Sequence, residues 1–194
     1  TNTNSVSNTY SWTYDTADPT MAITSTAGTA DGGSSNVAAF ALTYTSNEAT
    51  ANFAIGDITG ASCTVGNFGT TSTTVYTSTC TAADGATANV RVAVDTYTDT
   101  AGNDNEVSNV FDWTYETTDP TMVITSTAGD SDGDTSAVAA YALTYTSSEA
   151  TDDFAEADIT GASCTVGGFG TTSTTVYTST CTAADGATAN VRVA

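Results

Sequence analysis

The sequence contains no lysine and no histidine, and its only basic side chains belong to Arg91 and Arg192. Because it carries 22 acidic residues, its formal net charge at pH 7 is −20. Nucleic acids and anionic membrane surfaces are bound mainly through lysine and arginine, so we expect neither as a partner. Without histidine or lysine, no serine or threonine has a conventional activating base, and we expect no enzymatic activity.

Long apolar segments are also absent. No run approaches the roughly 20 apolar residues of a membrane-spanning helix, so we expect no membrane insertion. Regular alternation of valine, tyrosine and threonine, with nine Tyr, six Phe and two Trp, argues against a disordered chain. Proline occurs only at Pro19 and Pro120, each time after an aspartate, where it ends a strand and stiffens a short link.

The chain is a tandem repeat. Residues Phe68–Ala93 recur letter for letter as Phe169–Ala194, at an offset of 101 residues. Thr1–Tyr14 aligns with Gly102–Tyr115, and we interpret it as the end of a repeat whose body would precede it. The predicted divisions are residues 1–17, the final strand of a preceding repeat; 18–117, a complete repeat; and 118–194, a repeat lacking its final strand.

Alternating apolar side chains predict short strands, each bounded by turn residues. In Val37–Thr45, for example, Phe40, Leu42 and Tyr44 fall on one face. Ile58–Val65 and Thr74–Thr81 are predicted as two strands of a hairpin. About seven such strands per repeat, without a convincing helical period, indicate an all-β fold of tandem immunoglobulin-like β-sandwiches.

Several motifs, in their order and spacing, resemble the bacterial immunoglobulin-like repeats of large surface and secreted adhesins. They are Asp99–Asn103 (DTAGN), Asp119–Ser126 (DPTMVITS), Tyr145–Phe154 (YTSSEATDDF), Asp158–Thr160 (DIT) and Thr182–Gly186 (TAADG). The resemblance covers both repeats nearly end to end. It implies a β-sandwich, an extracellular or cell-surface location, and a role as a spacer or adhesive module. The sequence departs from the usual pattern in carrying a cysteine pair in each repeat.

The cysteine pairs are Cys63 with Cys80 and Cys164 with Cys181. If the predicted hairpin turns near Thr71–Ser72, Cys63 lies directly opposite Cys80, at a separation that a disulfide spans. We therefore predict one disulfide per repeat, which indicates an oxidising compartment outside the cytoplasm. Buried free thiols are the alternative. A zinc site is disfavoured because two cysteines without histidine lack partner ligands.

Acidic and amide side chains suggest that Ca²⁺ binds at one of two places. One is the loop that contains Asp130, Asp132 and Asp134, of which the first repeat keeps only Asp31. The other is the junction between repeats, where oxygen ligands would converge from Asp99, Asn103, Asp104, Asn105, Asp119, Glu149 and Glu48. A solvated acidic loop is the alternative interpretation.

An aromatic row in Phe111–Tyr115 recurs near the start of the chain as Tyr10, Trp12 and Tyr14. Such a row is typical of a core face, with a sugar-stacking face as the alternative. We expect Val6, Tyr10, Trp12 and Tyr14 of one copy to complete residues 118–194 of the next, which gives a head-to-tail polymer of copies of this chain. We favour a continuous polypeptide of many repeats over exchange of strands between separate subunits.

These features predict a structural module of an extracellular filament or of a giant surface protein, whose stacked domains extend and resist force. The alternative is an adhesin module that binds a glycan or a host surface. Most aromatic side chains fall at inward strand positions, which favours the structural role, because a binding module would place aromatic side chains in exposed loops.

Overall fold

The computed structural model describes residues 2–25, 30–126 and 132–194. The chain divides into two compact units, residues 1–117 and 118–194. In the described part of the chain, helical structure is limited to two short 3-10 turns, Ile55–Asp57 and Glu156–Asp158. The predicted all-β fold is therefore confirmed.

The first unit is a two-sheet sandwich. Its strands are β1 (Met21–Ser25), β2 (Gly33–Ser35), β3 (Ala39–Ser46), β4 (Ile58–Ala61), β5 (Cys63–Thr70), β6 (Val75–Ala82), β7 (Thr87–Val92) and β8 (Phe111–Tyr115). One sheet has the order β1-β3-β6-β5 and the other β2-β8-β7-β4. Side chains of both sheets join one buried cluster, as the immunoglobulin-like prediction requires.

Alternation along the strands places the core. On β3, Phe40, Leu42 and Tyr44 are at most 1% exposed, while the residues between them face outward or are half-buried. On β1, Met21 and Ile23 are buried in the same way. Since successive side chains of a strand point to opposite faces, a period of two is sufficient to direct these residues inward.

The predicted strand Ile58–Val65 is wrong in one respect, because the chain leaves one sheet and enters the other at Ser62. Ser62 has a φ of 57°, which breaks the extended conformation. The corner is tight: a Cβ on Gly60 would lie 2.8 Å from Cγ2 of Val65. The predicted register is also wrong, since Cys63 lies opposite Ala82 rather than Cys80, in a hairpin that is bulged beyond Gly66.

The second unit repeats this layout with fewer strands. They are β9 (Met122–Ser126), β10 (Ala140–Ser147), β11 (Ile159–Ala162), β12 (Cys164–Ser173), β13 (Val176–Ala183) and β14 (Asn190–Val193). The larger sheet has the order β9-β10-β13-β12 and matches β1-β3-β6-β5. The smaller sheet consists of β11 and β14, which match β4 and β7.

Candidate functional site

The second unit repeats the sequence of the first but not its burial. Among the apolar side chains of the first unit that are at most 3% exposed are Met21, Ile23, Leu42, Val90 and Val92. Their counterparts, the same residue types, are only half-buried: Met122, Ile124, Leu143, Val191 and Val193. We call the face formed by these five residues the open groove. Because the residues are identical, their exposure must arise from what surrounds them.

Strand β8 accounts for the difference. It pairs antiparallel with β7, where Phe111 lies opposite Val90 and Trp113 opposite Ala88. It also pairs parallel with β2. Trp113 is 0% exposed and stacks on Phe40, with ring centroids 4.5 Å apart. This strand therefore closes both the sheet and the core of the first unit.

The sheet of the second unit is shortened at the positions that β8 pairs with in the first. Strand β7 begins at Thr87, whereas β14 begins at Asn190, two residues after the counterpart of Thr87. Residues 134–136, the counterparts of β2, form no strand. Among the described residues, no strand pairs with β14 on the side away from β11. The edge beside the open groove is thus available for one more strand.

A second opening lies at the other end of the open groove. It has a volume of about 390 Å³ and is lined in part by Met122, Phe154 and Val193. In the first unit, the counterpart Phe53 packs edge-on against Tyr97, with ring centroids 5.2 Å apart. Tyr97 is carried by the loop that leads into β8, so this loop and β8 together cover the core of a complete unit.

The segment Val6–Tyr14 has the sequence of a final strand but is exposed. Val6 is 97% exposed, Tyr10 and Tyr14 are each 83% exposed, and Trp12 is 77% exposed. The segment forms no strand within the first unit. An exposed apolar row of this kind is unusual for a soluble surface and marks an interaction site.

Both predicted disulfides are present, between Cys63 and Cys80 and between Cys164 and Cys181. The Cα atoms are 5.7 Å apart in each pair, although the hairpin register differs from the predicted one. The cysteines reach each other diagonally across the hairpin on its inward face. A crosslink between cysteines 17 residues apart lowers the entropy of the unfolded chain, which stabilises the folded unit by about 3 kcal/mol.

The loop that begins at Asp99 is organised by that residue's carboxylate. Its Oδ1 atom accepts backbone N–H groups of Ala101, Gly102 and Asn103 at 2.6–2.8 Å, and its Oδ2 atom accepts Nδ2 of Asn103 at 2.9 Å. Desolvation raises the pKa of Asp99, but these hydrogen bonds outweigh it and hold the pKa below its ordinary value. The loop therefore loses stability as the pH falls through that depressed pKa.

Carboxylate oxygens of Asp15, Glu48 and Asp99 lie within 4.8 Å of one another in the first unit. The sequence had indicated Glu48 and Asp99 but not Asp15, which directly follows the Val6–Tyr14 segment. The only sequence signal for it is its position after the aromatic row, where the next repeat has Glu116. All three residues lie in the first unit, Asp15 directly after the Val6–Tyr14 segment and Glu48 and Asp99 in loops.

The other predicted calcium ligands do not belong to this group of three carboxylates. The Asn105 side chain is fully used by the protein, since its Oδ1 accepts N–H groups of Thr96 and Tyr97 and its Nδ2 donates to Ala93 and Glu106. Asp104 pairs through its backbone with Thr98. In the second unit, Asp119, Asp132 and Asp134 are exposed and Glu149 is half-buried, whereas Asp130 lies outside the described residues.

Residues 15–115 match the family model described as the bacterial Ig-like domain. The chain belongs to the bacterial Ig-like domain family. No curated protein matches it. The matched bacterial Ig-like domain ends at Tyr115 and so includes β8, whereas Val6–Tyr14 precedes the match. A domain of this family therefore contains the final strand that the second unit has not paired.

The bacterial Ig-like domain is a non-enzymatic fold family. In the residues that the structure describes, no helix is both long enough and apolar enough to cross a membrane. The features that remain to be explained functionally are the open groove, the exposed Val6–Tyr14 segment and the acidic group beside it.

Proposed function

We propose that this chain is a structural module of an extracellular filament or giant surface protein, and that its copies join head to tail by completing each other's final strand. One observation carries the proposal. Side chains that are buried beside β8 in the first unit are only half-buried in the second, and a segment equivalent to β8 is exposed elsewhere on the same chain. Each copy therefore offers one groove and one strand.

The occupant of the open groove is the Val6–Tyr14 segment of another copy. By analogy with β8, Tyr10 lies opposite Val191 and Trp12 opposite Ala189, antiparallel to β14. The same segment runs parallel to residues 134–136, as β8 does to β2. This arrangement adds main-chain hydrogen bonds at an exposed sheet edge and buries an aromatic row, the mode of strand addition that other proteins use for peptides.

An extracellular location is supported by the family and by the two disulfides, which persist in oxidising compartments. A chain of net charge −20 associates with itself only where salt or divalent cations screen the repulsion between copies. At an ionic strength of about 0.15 M the Debye length is about 8 Å, so exposed charges of neighbouring copies that are further apart than this repel each other only weakly.

Assembly of the chain is the test. In sedimentation velocity at about 0.15 M salt, we expect oligomers whose size grows with protein concentration, and head-to-tail fibres in electron micrographs. Trp12 emission should shift to shorter wavelength on assembly, because the exposed indole becomes buried. A chain that stays monomeric at millimolar concentration with Trp12 exposed would refute the proposal.

The completing strand could come from a separate subunit or from the same continuous polypeptide, and denaturing electrophoresis of the native protein distinguishes the two. Denaturing electrophoresis that gives a 19.5 kDa band means that separate subunits exchange strands. One very large band means that the repeats belong to one continuous polypeptide.

The exposed aromatic row also favours one second function, an adhesin module that stacks a glycan on Tyr10, Trp12 and Tyr14. A glycan array separates the two functions. Binding that disappears when Trp12 is replaced, in a chain that does not assemble, would favour the adhesin.

We further propose that Ca²⁺ stiffens the junction between repeats, held by Asp15, Glu48 and Asp99 of the first unit. Glu116 and Glu149 are the counterparts of Asp15 and Glu48 in the following repeat, and Asp119 belongs to the same stretch. Extracellular calcium sites of this kind bind at about 10⁻⁴–10⁻³ M. Asp99 would contribute Oδ2, which accepts only Nδ2 of Asn103, whereas Oδ1 of Asn105 already accepts the N–H groups of Thr96 and Tyr97, so we leave Asn105 out of the ligand set.

Millimolar Ca²⁺ is expected to raise the melting temperature of the chelator-treated chain by mass action, since only the folded state presents the three carboxylates together. The variant Asp15→Asn should lose most of this increase, and Asp185→Asn, which changes an exposed turn of the second unit, should retain it. An unchanged melting temperature in the wild-type chain would contradict the calcium proposal and leave strand completion unaffected.

A further inference from the structure

Two polar side chains fasten β8 to the rest of the first unit. The Ser108 Oγ atom accepts the N–H group of Val92 at 2.8 Å, while the Ser108 N–H donates to the Val92 carbonyl at 3.1 Å. The Asn109 Oδ1 atom accepts the N–H group of Ile23 at 2.8 Å, and its Nδ2 donates to the Ile23 carbonyl at 3.0 Å. Asn109 thus satisfies both backbone groups of one residue.

These contacts tie the final strand to both sheets at once. Val92 is the last residue of β7, and Ile23 lies in β1, the edge strand of the opposite sheet. A strand residue directs its N–H and C=O groups to the same side, so the amide of Asn109 replaces a neighbouring strand at that edge. Ser108 and Asn109 therefore fix the register of the final strand. The aromatic row does not, because its aromatic side chains recur at every second position.

The Val6–Tyr14 segment retains both residues, as Ser7 and Asn8. The second unit retains both receiving positions. Ile124 lies opposite Tyr145, as Ile23 lies opposite Tyr44. Val193 lies opposite Ile159, as Val92 lies opposite Ile58. Among the described residues, no side chain bonds to the backbone of Ile124 or Val193 as Asn109 and Ser108 do in the first unit.

We propose that Ser7 and Asn8 form a register latch: in the assembled chain Ser7 pairs with the backbone of Val193, and Asn8 with the backbone of Ile124, of the neighbouring copy. The assignment rests on the proposed strand completion and specifies its register. A slip of two residues would keep Tyr10, Trp12 and Tyr14 on the inward face, so the aromatic row alone does not determine the register. After such a slip, Val6 or Tyr10 would face Ile124. Val6 has no polar side-chain atom, and the single hydroxyl of Tyr10 lies at the far end of its ring, so neither can pair with both backbone groups of Ile124 as a short primary amide does.

The first test is the concentration at which the full-length chain assembles. The variant Asn8→Ala removes two hydrogen bonds per contact and should raise that concentration about tenfold. Thr9→Ala is the matched control, because the counterpart Val110 is 45% exposed in the first unit and makes no comparable contact. We expect Thr9→Ala to assemble as the wild type does, and Asn8→Gln, whose amide is one methylene too far out, to resemble Asn8→Ala.

The second test reads the register directly. In the first unit Asp112 lies opposite Asn89, and both residues are half-buried. The counterparts are Ser11 and Asn190, so a mixture of the single variants Ser11→Cys and Asn190→Cys should form an intermolecular disulfide under mild oxidation. Ser11→Cys mixed with Arg192→Cys, which places the second thiol two residues out of register, should crosslink far less.

The outcomes separate the latch from the proposed function. A wild-type chain that does not assemble overturns both. A wild-type chain that assembles, with Asn8→Ala assembling equally well or Ser11→Cys crosslinking equally to positions 190 and 192, overturns the latch and leaves strand completion standing. A tenfold loss for Asn8→Ala together with selective crosslinking to position 190 supports both.

Discussion

Replacing Trp12 by alanine is expected to abolish assembly of the chain and to leave the melting temperature of the monomer unchanged. Trp12 is 77% exposed in the free chain, so its removal costs the folded monomer almost nothing. In the assembled state it takes the place that Trp113 holds in the first unit, where the indole is fully buried against Phe40. The substitution therefore acts on the contact between copies alone.

The expected size of the effect follows from large-to-small changes in protein cores. Removing a buried tryptophan side chain costs about 3–5 kcal/mol. Since about 1.4 kcal/mol corresponds to a factor of ten, the assembly concentration should rise by more than a hundredfold. Sedimentation velocity over a concentration series, with the unfolding of the monomer followed by circular dichroism, measures both quantities on the same sample.

Trp113→Ala is the matched variant, because it makes the same change in the same motif one repeat later. It should do the opposite of Trp12→Ala, lowering the melting temperature of the first unit while leaving the open groove and the Val6–Tyr14 segment intact. If Trp12→Ala were to destabilise the monomer, or to assemble as well as the wild type, then Trp12 would not be a completing residue and the strand exchange would be wrong.

The asymmetry between these two tryptophans was visible in the sequence. The repeat is letter-perfect over long stretches, and strand periodicity directed Phe40, Leu42 and Tyr44 inward without further information. Aligning the two copies predicted that Val6–Tyr14 is equivalent to the strand that contains Phe111 and Trp113, and that residues 118–194 do not include such a strand. The structure adds the physical consequence, which is the half-burial of identical side chains in the second unit.

Other features carried no periodic signal. The change of sheet at Ser62 depends on a positive φ at a serine, a conformation that is uncommon for residues other than glycine. No neighbouring residue type predicts it. Strand β2 is a Gly-Ser-Ser triplet that pairs parallel with β8, although its composition is typical of a loop. Cys63 lies opposite Ala82, two residues beyond its predicted partner, so the disulfide was predicted correctly from a wrong opposition.

The polar contacts were the least predictable part of the site. Asn109 binds the backbone of Ile23, 86 residues away, and Ser108 binds the backbone of Val92, 16 residues away, and such contacts depend on the final packing rather than on local sequence. The position of Asp15 in the sequence did not indicate a contact with Glu48 and Asp99 either, because folding alone brings the three carboxylates together. Recurrence of Asn and Ser at Asn8 and Ser7 is the signal that could have indicated the latch.

Completing the second unit within its own chain is expected to raise its melting temperature and to stop assembly. The change is to join a copy of Val94–Tyr115 directly to Ala194, which continues the repeat as it runs in the first unit. The added loop would fill the opening beside Phe154 as Tyr97 fills the site beside Phe53, and the added strand would cover the open groove. With the groove filled in the same chain, the Val6–Tyr14 segment of another copy has nowhere to bind.

The gain in stability should be large for a small domain. Burying one large apolar side chain is worth about 1.5–3 kcal/mol, and the extension would bury the counterparts of Tyr97, Phe111 and Trp113 together with the five groove residues. Each kcal/mol shifts the melting temperature of a domain of this size by about 4–8 °C. We therefore expect the transition of the second unit to rise by more than about 10 °C, measured by scanning calorimetry against the unextended chain.

The same extension carrying Trp113→Ala in the added copy is the control for chain length and charge. It should recover only part of the gain and should leave some assembly, because the added strand then lacks its principal core side chain. An extended chain that assembles as strongly as the original would show that the groove is not where copies meet. An unchanged melting temperature would show that the added strand does not stabilise the second unit, although Met122, Ile124 and Leu143 are only half-buried without it.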